Sequence, residues 1–357
     1  MSIETPLKLL HEKAGARFCE YFGCVLPEAF APLEQEWRIA RNTVALFDTN
    51  FRAFLHLTGP DRVRFLNAIS TNDVKSLTEG HGSLGLLLNP QGHILAEAEC
   101  HALPDQLLVL THAMVRERTA EWLEKYVIMD DVTLEDATAR FGSVALEGPA
   151  AASLLHQVCG LKLDAMPDFA HREVVIGAAA GLAIRRSHFG EVGAEIVAAR
   201  ESLPGIWQML AGVVRKPGGG PVGYAALNAL RLEAGIPWFS YDFDDQRIPH
   251  EAGLETSHIS YTKGCYTGQE IVERVRSRGH VNRRRVGLQF EGTTPPPAQT
   301  KLLADDKEVG HVTSAAYSPA RQRAIGMGYL RHEHTAPGSH VRYEGGTAEV
   351  TELSLSK

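Results

Sequence analysis

Cysteine is scarce in this sequence, and its few copies are scattered. The cysteines Cys19, Cys24, Cys100, Cys159 and Cys265 form no C-x-x-C pair. Zinc ribbons and iron–sulfur centres usually take about four closely arranged ligands, so we expect no bound metal of that kind. Most of these thiols are predicted to be small buried side chains in a reducing compartment.

Long apolar runs are also missing. No stretch approaches the ~20 apolar residues that span a bilayer. The first ten residues carry Glu4 and Lys8 where a signal peptide would have an apolar core. We therefore expect a cytoplasmic protein that does not contact membranes. At about 150 residues per domain, the 357 residues predict two or three domains.

Acidic residues outnumber basic residues overall, but basic residues are concentrated in one segment. The formal net charge is −7, so the surface as a whole does not indicate nucleic-acid binding. Residues 271–285 nevertheless contain six arginines and one acidic residue. Guanidinium groups bind carboxylates and phosphates, which makes Arg274, Arg276 and Arg278 candidate anion-binding residues. The triplet 283–285 is equally compatible with a solvated linker or an interdomain ion-pair network.

Hydrophobic patterning predicts an α+β protein. Residues 51–140 resemble the ferredoxin-like order of strands and helices. Within them, strands are predicted at 51–57, 83–88, 93–101, 107–111 and 132–135, and helices at 61–69 and 113–126. After residue 285, short strands separated by turns predict a small β-barrel or sandwich. These strands are predicted at 301–304, 308–314, 324–329, 340–343 and 347–353.

The most informative segment is residues 263–270, KGCYTGQE, called the KGCYTGQE segment below. Thr267 and Glu270 match a T-x-x-E capping box, which predicts a helix beginning at Gly268. Gly279 should end that helix.

The same segment places a cysteine where its thiolate is favoured. Cys265 lies two residues after Lys263 and just before the predicted helix, and a nearby ammonium and a helix N-terminus both stabilise a thiolate. Gly264 and Gly268 would let the backbone approach a ligand closely. We predict a reactive, partly exposed thiol beside Tyr266. The alternative is a small buried cysteine in a tight turn.

The KGCYTGQE segment, followed by a basic helix, resembles the signature of YgfZ-type proteins. These form a branch of the glycine-cleavage T-protein (aminomethyltransferase, GcvT-like) superfamily. Further landmarks that resemble the T-protein are Thr5-Pro6-Leu7, Gly59-Pro60-Asp61, Thr71-Asn72-Asp73-Val74, Arg231-Leu232-Glu233-Ala234-Gly235-Ile236-Pro237 and Glu308-Val309-Gly310-His311-Val312-Thr313-Ser314. The resemblance covers essentially the whole chain.

The resemblance implies a three-domain GcvT-like folate-binding fold around a central hole. The first domain would be discontinuous, combining residues 1–50 with 141–280. Residues 51–140 would form an inserted ferredoxin-like domain, and 285–357 the C-terminal β-barrel.

The cofactor implied by the resemblance is tetrahydrofolate or a derivative such as the 5-formyl form. The family pattern Gly-Glu-x-Gly-x-Glu matches residues 190–195, and the resemblance assigns Glu195 to the pterin amide edge, which one carboxylate can bind with two parallel hydrogen bonds. The alternative is an exposed strand glutamate. The other positions assigned to folate binding are Glu191, Gly193, Arg231, Gly264, Gly268 and Gln269.

The YgfZ-type resemblance implies a folate-dependent factor that maintains iron–sulfur enzymes. Cys265 would be its reactive thiol, with Lys263 and Tyr266 beside it, and iron–sulfur client proteins would be its partners. One thiol cannot hold a cluster alone, so a shared cluster and thiol exchange both stay open. The alternatives are one-carbon transfer to tetrahydrofolate, as in the T-protein, or folate-dependent tRNA modification. RNA has little support, because only two tyrosines flank the basic segment.

Two departures from the T-protein pattern count against glycine cleavage. The T-protein has a catalytic aspartate in Gly-Gly-Ile-x-Asp-Asp, whereas the matching residues 92–97 end in Ala96 and Glu97. The T-protein sequence Ala-Arg-Asp is replaced by Ala226-Leu227-Asn228. A lost general acid or base would lower the rate by about 10²–10⁴-fold.

Overall fold

The structure is a computed structural model that describes residues 3–279 and 281–354. The helices are α1 Lys8–Lys13, α2 Leu33–Asn42, α3 Arg62–Ile69, α4 Arg116–Tyr126, α5 Ala151–Cys159, α6 Leu203–Val214, α7 Tyr224–Glu233, α8 Pro249–Ala252 and α9 Gln269–Arg278. The strands are β1 Ile3–Glu4, β2 Arg17–Tyr21, β3 Cys24–Ala29, β4 Ala45–Asp48, β5 Arg52–Thr58, β6 Gly82–Leu88, β7 Ile94–Ala102, β8 Leu107–His112, β9 Thr133–Asp136, β10 Phe141–Glu147, β11 His171–Ile176, β12 Ala179–Arg185, β13 Gly193–Ala199, β14 Gly220–Pro221, β15 Arg283–Phe290, β16 Lys301–Ala304, β17 Lys307–Ser318, β18 Arg323–Arg331, β19 His340–Tyr343 and β20 Gly346–Thr351.

The chain divides into two compact units. The first contains the residues up to Leu87, together with Ala96–Ala226 and His258–Thr267. The second contains Leu88–Leu95, Leu227–Ser257 and the residues from Gly268 onward. Among the described residues, no helix is long and apolar enough to cross a bilayer.

A large sheet of the first unit has the strand order β11-β12-β13-β10-β4-β14. Side chains alternate between its two faces, because successive residues of a strand point in opposite directions. Leu146 on β10 and Ile196 on β13 belong to an apolar core that also contains Leu154 of α5 and Trp207 of α6. Glu195, between Ala194 and Ile196 on β13, therefore points to the opposite face.

That opposite face packs against a second sheet, with the order β6-β7-β8-β5-β9. Phe54 and Leu110 from the second sheet form an apolar cluster with Ile184 and Val197 from the first. We call the space between these two sheets the inter-sheet layer. Each strand and helix predicted between residues 51 and 140 is present, with ends that differ by three residues or fewer. The largest difference is at α4, because Ala113–Val115 form a 3₁₀ turn before it.

The second unit contains a closed barrel with the strand order β15-β18-β17-β16-β19-β20. Its interior is apolar, with Leu288, Phe290, Leu302 and Val350 fully buried. The predicted barrel is therefore confirmed, and with it the mixed α/β fold class. The linker interpretation of 283–285 is wrong, because these arginines begin β15, whose alternating apolar side chains face the barrel interior.

Candidate functional site

A buried ion-paired network lies at one end of the inter-sheet layer, and Glu195 is at its centre. Arg52 on β5 donates two parallel hydrogen bonds to Glu195, Nε to Oε1 at 3.3 Å and Nη2 to Oε2 at 3.2 Å. The hydroxyl of Ser143 donates to the same carboxylate at 2.8 Å. Only 1% of Glu195 is exposed, so the alternative of an exposed strand glutamate is wrong. The second sheet covers this carboxylate, and the sequence alone does not show that the two sheets pack together.

Glu99 on β7 adds a second carboxylate to this network. Its Oε2 lies 3.7 Å from Nη2 of Arg52, and it forms an ion pair with Arg186. His101 lies 2.9 Å from the other Glu99 oxygen. His188 lies 3.5 Å from Oε2 of Glu195. Two guanidinium groups thus balance two carboxylates in a region that excludes water.

The buried charges keep the Glu195 carboxylate ionised. Burial alone would raise its pKa, but the charge of Arg52 and the contact with His188 hold the pKa below its ordinary value. Burial lowers the pKa of His188 to about 4, which leaves its imidazole neutral near pH 7. The network therefore needs no proton exchange to remain balanced near neutral pH.

Glu97 is the more accessible carboxylate of this region. His258 lies 3.1 Å from its Oε1, and His112 lies 3.6 Å from its Oε2. The Glu97 side chain is 12% exposed, compared with 1% for Glu195. Burial alone would raise the pKa of Glu97, but hydrogen bonds from the two histidines hold it well below the ordinary value. An ionised carboxylate held between two imidazoles keeps a fixed orientation and can stabilise a positive charge that develops beside it.

The KGCYTGQE segment is built differently from the capping box predicted for it. Helix α9 begins at Gln269, and its N-cap is Gly268 in the left-handed conformation, with φ of 82°. In the described chain this N-terminus has no side-chain capping bond, so the capping-box prediction is wrong. A Cβ at position 268 would lie 2.7 Å from the carbonyl oxygen of Asn89, which explains the glycine. Gly279 ends the helix with φ of 81°, as predicted.

Lys263 anchors the segment to the end of α3. Its Nζ donates to the carbonyl oxygens of Asn67 and Ser70 at 2.5 Å each and to that of Asn72 at 3.1 Å. Its ammonium also lies 5.1 Å from the centre of the buried Tyr266 ring. Burial lowers the pKa of Lys263 to about 8, while the charge of Asp73 raises it slightly. The ammonium is thus engaged by backbone carbonyls.

Cys265 is exposed at the surface of the first unit. The alternative of a small buried cysteine is therefore wrong. An added Cβ at Gly264 would meet no atom of the described structure within 4 Å, so its backbone is not packed closely by protein. The roles proposed for Cys265, Lys263 and Tyr266 in chemistry stay predictions.

Two residues of the 190–195 pattern have structural partners. Glu191 forms an ion pair with Arg41 at 3.2 Å. At Gly193, an added Cβ would lie 2.8 Å from the Cβ of Glu147 and 2.9 Å from the carbonyl oxygen of Arg186. A larger side chain would clash with these atoms. Close packing at the first residue of β13 therefore explains the glycine without a ligand.

Arg231 is part of the core of the second unit. It is fully buried and forms an ion pair with Asp242. Its Nε donates to Asn228 at 2.9 Å, and its Nη1 donates to the carbonyl oxygen of Ile236 at 3.1 Å. Gln269, the first residue of α9, is half-buried. These contacts show structural roles, and folate binding by Arg231 and Gln269 stays a prediction.

Surface ion pairs occupy two arginines of the basic segment, residues 271–285. Arg274 lies 2.6 Å from Glu270, and Arg276 lies 3.6 Å from Glu273 on the same helix. The side chain of Arg278 is outside the part of the structure that is described. These pairs partly neutralise the arginines and leave less positive charge to attract an external anion. Anion binding by these arginines stays a prediction.

Sequence reasoning missed most members of the charged network. These are Arg52, Glu99, His112, Arg186, His188 and His258. A usable signal was the alternation Glu97, Glu99, His101 on one predicted strand, which puts all three on one face. Within the described residues, no group of three or more His, Cys, Asp and Glu side chains could hold a metal ion.

Known proteins match this chain over nearly its full length. The model of the GCVT N-terminal domain matches residues 7–259, and that of the glycine cleavage T-protein C-terminal barrel domain matches residues 283–354. An aminomethyltransferase of Chlorobium phaeobacteroides is 29% identical over 342 residues, covering 95% of this chain and 93% of the relative. An aminomethyltransferase of a Geobacillus species is 27% identical, with the same coverage of each chain. The crystal structure of glycine cleavage system aminomethyltransferase T from Bartonella henselae superposes with a TM-score of 0.91, at 25% identity, and covers 100% of this chain and 98% of that one. The chain therefore belongs to the glycine cleavage T-protein family.

Proposed function

We propose that this protein binds tetrahydrofolate and transfers a one-carbon unit to it. The observation that carries the proposal is the ionised Glu97 carboxylate between His112 and His258. Glu97 stands where the Gly-Gly-Ile-x-Asp-Asp pattern of the T-protein has its second aspartate, and it supplies a carboxylate there although Ala96 replaces the first. The names of the relatives support this activity better than they support iron–sulfur cluster maintenance.

The described residues fit a reduced folate by their chemistry. The pterin edge presents N–H donors, and Glu97 and Glu195 are two carboxylates that stay ionised and can accept them. Glu195 accepts three hydrogen bonds from Arg52 and Ser143 and contacts His188 at 3.5 Å, so a pterin N–H would take the acceptor site that now faces His188. We infer that Glu97, the more accessible of the two, faces the reacting end of the ligand.

Each side chain of this site would have a separate task. Bound tetrahydrofolate would supply the nitrogen that receives the one-carbon unit. Glu97, which stays ionised, would stabilise the positive charge that develops on the one-carbon unit during transfer, and the two histidines would fix its orientation. Arg52 would hold Glu195 in place through its two parallel hydrogen bonds.

Ligand-induced stabilisation tests the folate proposal. At about 100 times its Kd, tetrahydrofolate should stabilise the protein by about 2.7 kcal/mol, a rise in Tm on the order of 5 °C. Glu195→Gln should abolish this rise, because the amide has no negative charge and replaces one acceptor oxygen with an N–H donor that repels the pterin N–H groups. Glu173→Gln, an exposed change in the first unit, is the control and should keep the full rise. The absence of any rise in the wild type at saturating ligand would exclude the folate site.

A second candidate function rests on Cys265. We infer that the protein belongs to the YgfZ-type branch and uses this thiol in maintaining iron–sulfur enzymes. An exposed cysteine on an anchored KGCYTGQE segment favours this proposal. A thiol held at the surface can reach a client protein, whereas a buried one cannot.

Cysteine replacement tests the second candidate. In cells that lack the protein, Cys265→Ser should fail to restore the activity of iron–sulfur enzymes, while leaving the Tm unchanged. Cys19→Ser removes the other exposed thiol that the structure describes and should restore activity fully. Full restoration by Cys265→Ser would leave one-carbon transfer as the better supported function.

A further inference from the structure

The inter-sheet layer opens into an apolar cleft at the end away from the charged network. The cleft has a volume of about 840 Å³. Apolar side chains from both sheets line it, including Phe54, Leu108, Phe141, Leu182 and Val197. Ligand sites typically have volumes of about 300–1,000 Å³ and mostly apolar walls, so this cleft has the size and character of one.

The cleft is separate from the charged network. Arg52, which binds Glu195, is followed on the same face of β5 by Phe54 and then His56, and both of these line the cleft. Two residues along a strand span about 6.7 Å, so the cleft begins roughly 7–13 Å from the network. Phe54 and Val197 are also part of the apolar cluster between the two regions. A ligand in the cleft would therefore not occupy the Glu97 site.

The polar groups of the cleft indicate which ligand it favours. Three polar side chains of the lining are His56, Gln106 and Glu173. Burial lowers the pKa of His56, and its imidazole is hydrogen-bonded to Gln106, so this pair is uncharged near neutral pH. Within the described residues the lining contains no lysine or arginine, and Glu173 contributes a negative charge. Arg140 lies 5.7 Å from the centre of the Phe141 ring, but it is paired with Glu135 at 2.7 Å. The charge of Glu173 therefore leaves the surroundings of the cleft net negative, which disfavours anions.

The aromatic groups of the cleft are arranged to pack against a ring. Phe54 and Phe141 have ring centres 6.1 Å apart and an interplanar angle of 51°. His56 lies 5.5 Å from Phe141 at 33°. Phe54 is only 1% exposed, so the half-buried rings of Phe141 and His56 are the ones that a further aromatic group can pack against.

We propose that this cleft is a second binding site, which takes an uncharged aromatic molecule with one hydrogen-bonding group. The ring of Phe141 packs against the ligand, and the His56–Gln106 pair receives its polar group. The proposal does not depend on folate binding.

Fluorescence titration with N-phenyl-1-naphthylamine tests this site, because the probe is uncharged, aromatic and has one N–H group. The wild type should bind it saturably with one probe per chain. Val175→Glu places a second carboxylate at the cleft and should weaken binding at least tenfold. Val175 is 60% exposed, so the fold should tolerate the change. The matched control is Ile128→Glu, which is 82% exposed, is not part of the cleft and should bind normally.

Two further measurements make the result decisive. Ala180→Phe fills the cleft without adding charge, and it should also weaken binding of the probe. 1-Anilinonaphthalene-8-sulfonate has similar rings with a negative charge and should bind at least tenfold more weakly. Equal affinity in the wild type, Val175→Glu and Ala180→Phe would overturn the proposal, as would equal affinity for the anionic probe. Glu195→Gln should bind the neutral probe normally, which separates this result from the test of the folate site.

Discussion

Replacing Glu97 with glutamine should lower one-carbon transfer to tetrahydrofolate by about 10²–10³-fold. Glutamine keeps the shape of the side chain but removes its negative charge. It would also leave His112 and His258 facing an amide in place of a carboxylate. The measurement is the initial rate of folate product formation with an aminomethylated carrier protein as donor.

The control for this experiment is Glu135→Gln on β9, an exposed change in the same unit, which should keep the wild-type rate. Because the pKa of Glu97 lies well below its ordinary value, the wild-type rate should show no carboxylate titration between about pH 5 and 7. A Glu97→Gln variant with the wild-type rate would remove this carboxylate from the mechanism. An inactive wild type would favour cluster maintenance.

Replacing Asp242 with asparagine should destabilise the second unit by about 3–5 kcal/mol. The Asp242 carboxylate forms the ion pair with Arg231 and accepts hydrogen bonds from Thr313 at 2.6 Å and Ser314 at 2.7 Å. Removing its charge leaves the fully buried Arg231 guanidinium uncompensated. Urea unfolding followed by tryptophan fluorescence should report the loss, because Trp238 lies 4.6 Å from that guanidinium.

A surface ion pair in the same unit supplies the comparison. Asp306→Asn removes the partner of Arg342, where both side chains are more than half exposed. Water screens this pair, so the unfolding midpoint should hardly move. If Asp242→Asn unfolds at the wild-type midpoint, the buried charge is not needed for stability, and the role given to Arg231 would be wrong.

Patterning predicted the elements of the fold well where apolar alternation was strong. The strands at 301–304 and 340–343 were placed without error, because turns bound them on both sides. The strand Arg283–Phe290 was missed, since three consecutive arginines at its start look like a linker. Its apolar half becomes recognisable as a strand only when the rest of the barrel packs around it.

The site was harder to predict than the fold. A strand with Glu97, Glu99 and His101 on one face is indistinguishable in sequence from one whose polar face meets solvent. The loop between β12 and β13 supplies Arg186 and His188, and only tertiary structure brings them to this face. The capping box failed for a local reason, since the close approach of Asn89 requires a left-handed glycine at 268.

Ring closure of the barrel has a consequence for how the protein can self-associate. Within the described residues, β15 pairs with both β18 and β20, so the cylinder presents no open strand edge for another chain to extend. The large sheet of the first unit, by contrast, ends at β11, where Arg172 and Glu173 are exposed. Charges on a terminal strand discourage intermolecular β-pairing. Intermolecular pairing through the barrel would therefore require the barrel to open, and pairing through β11 would require the loss of those two charges.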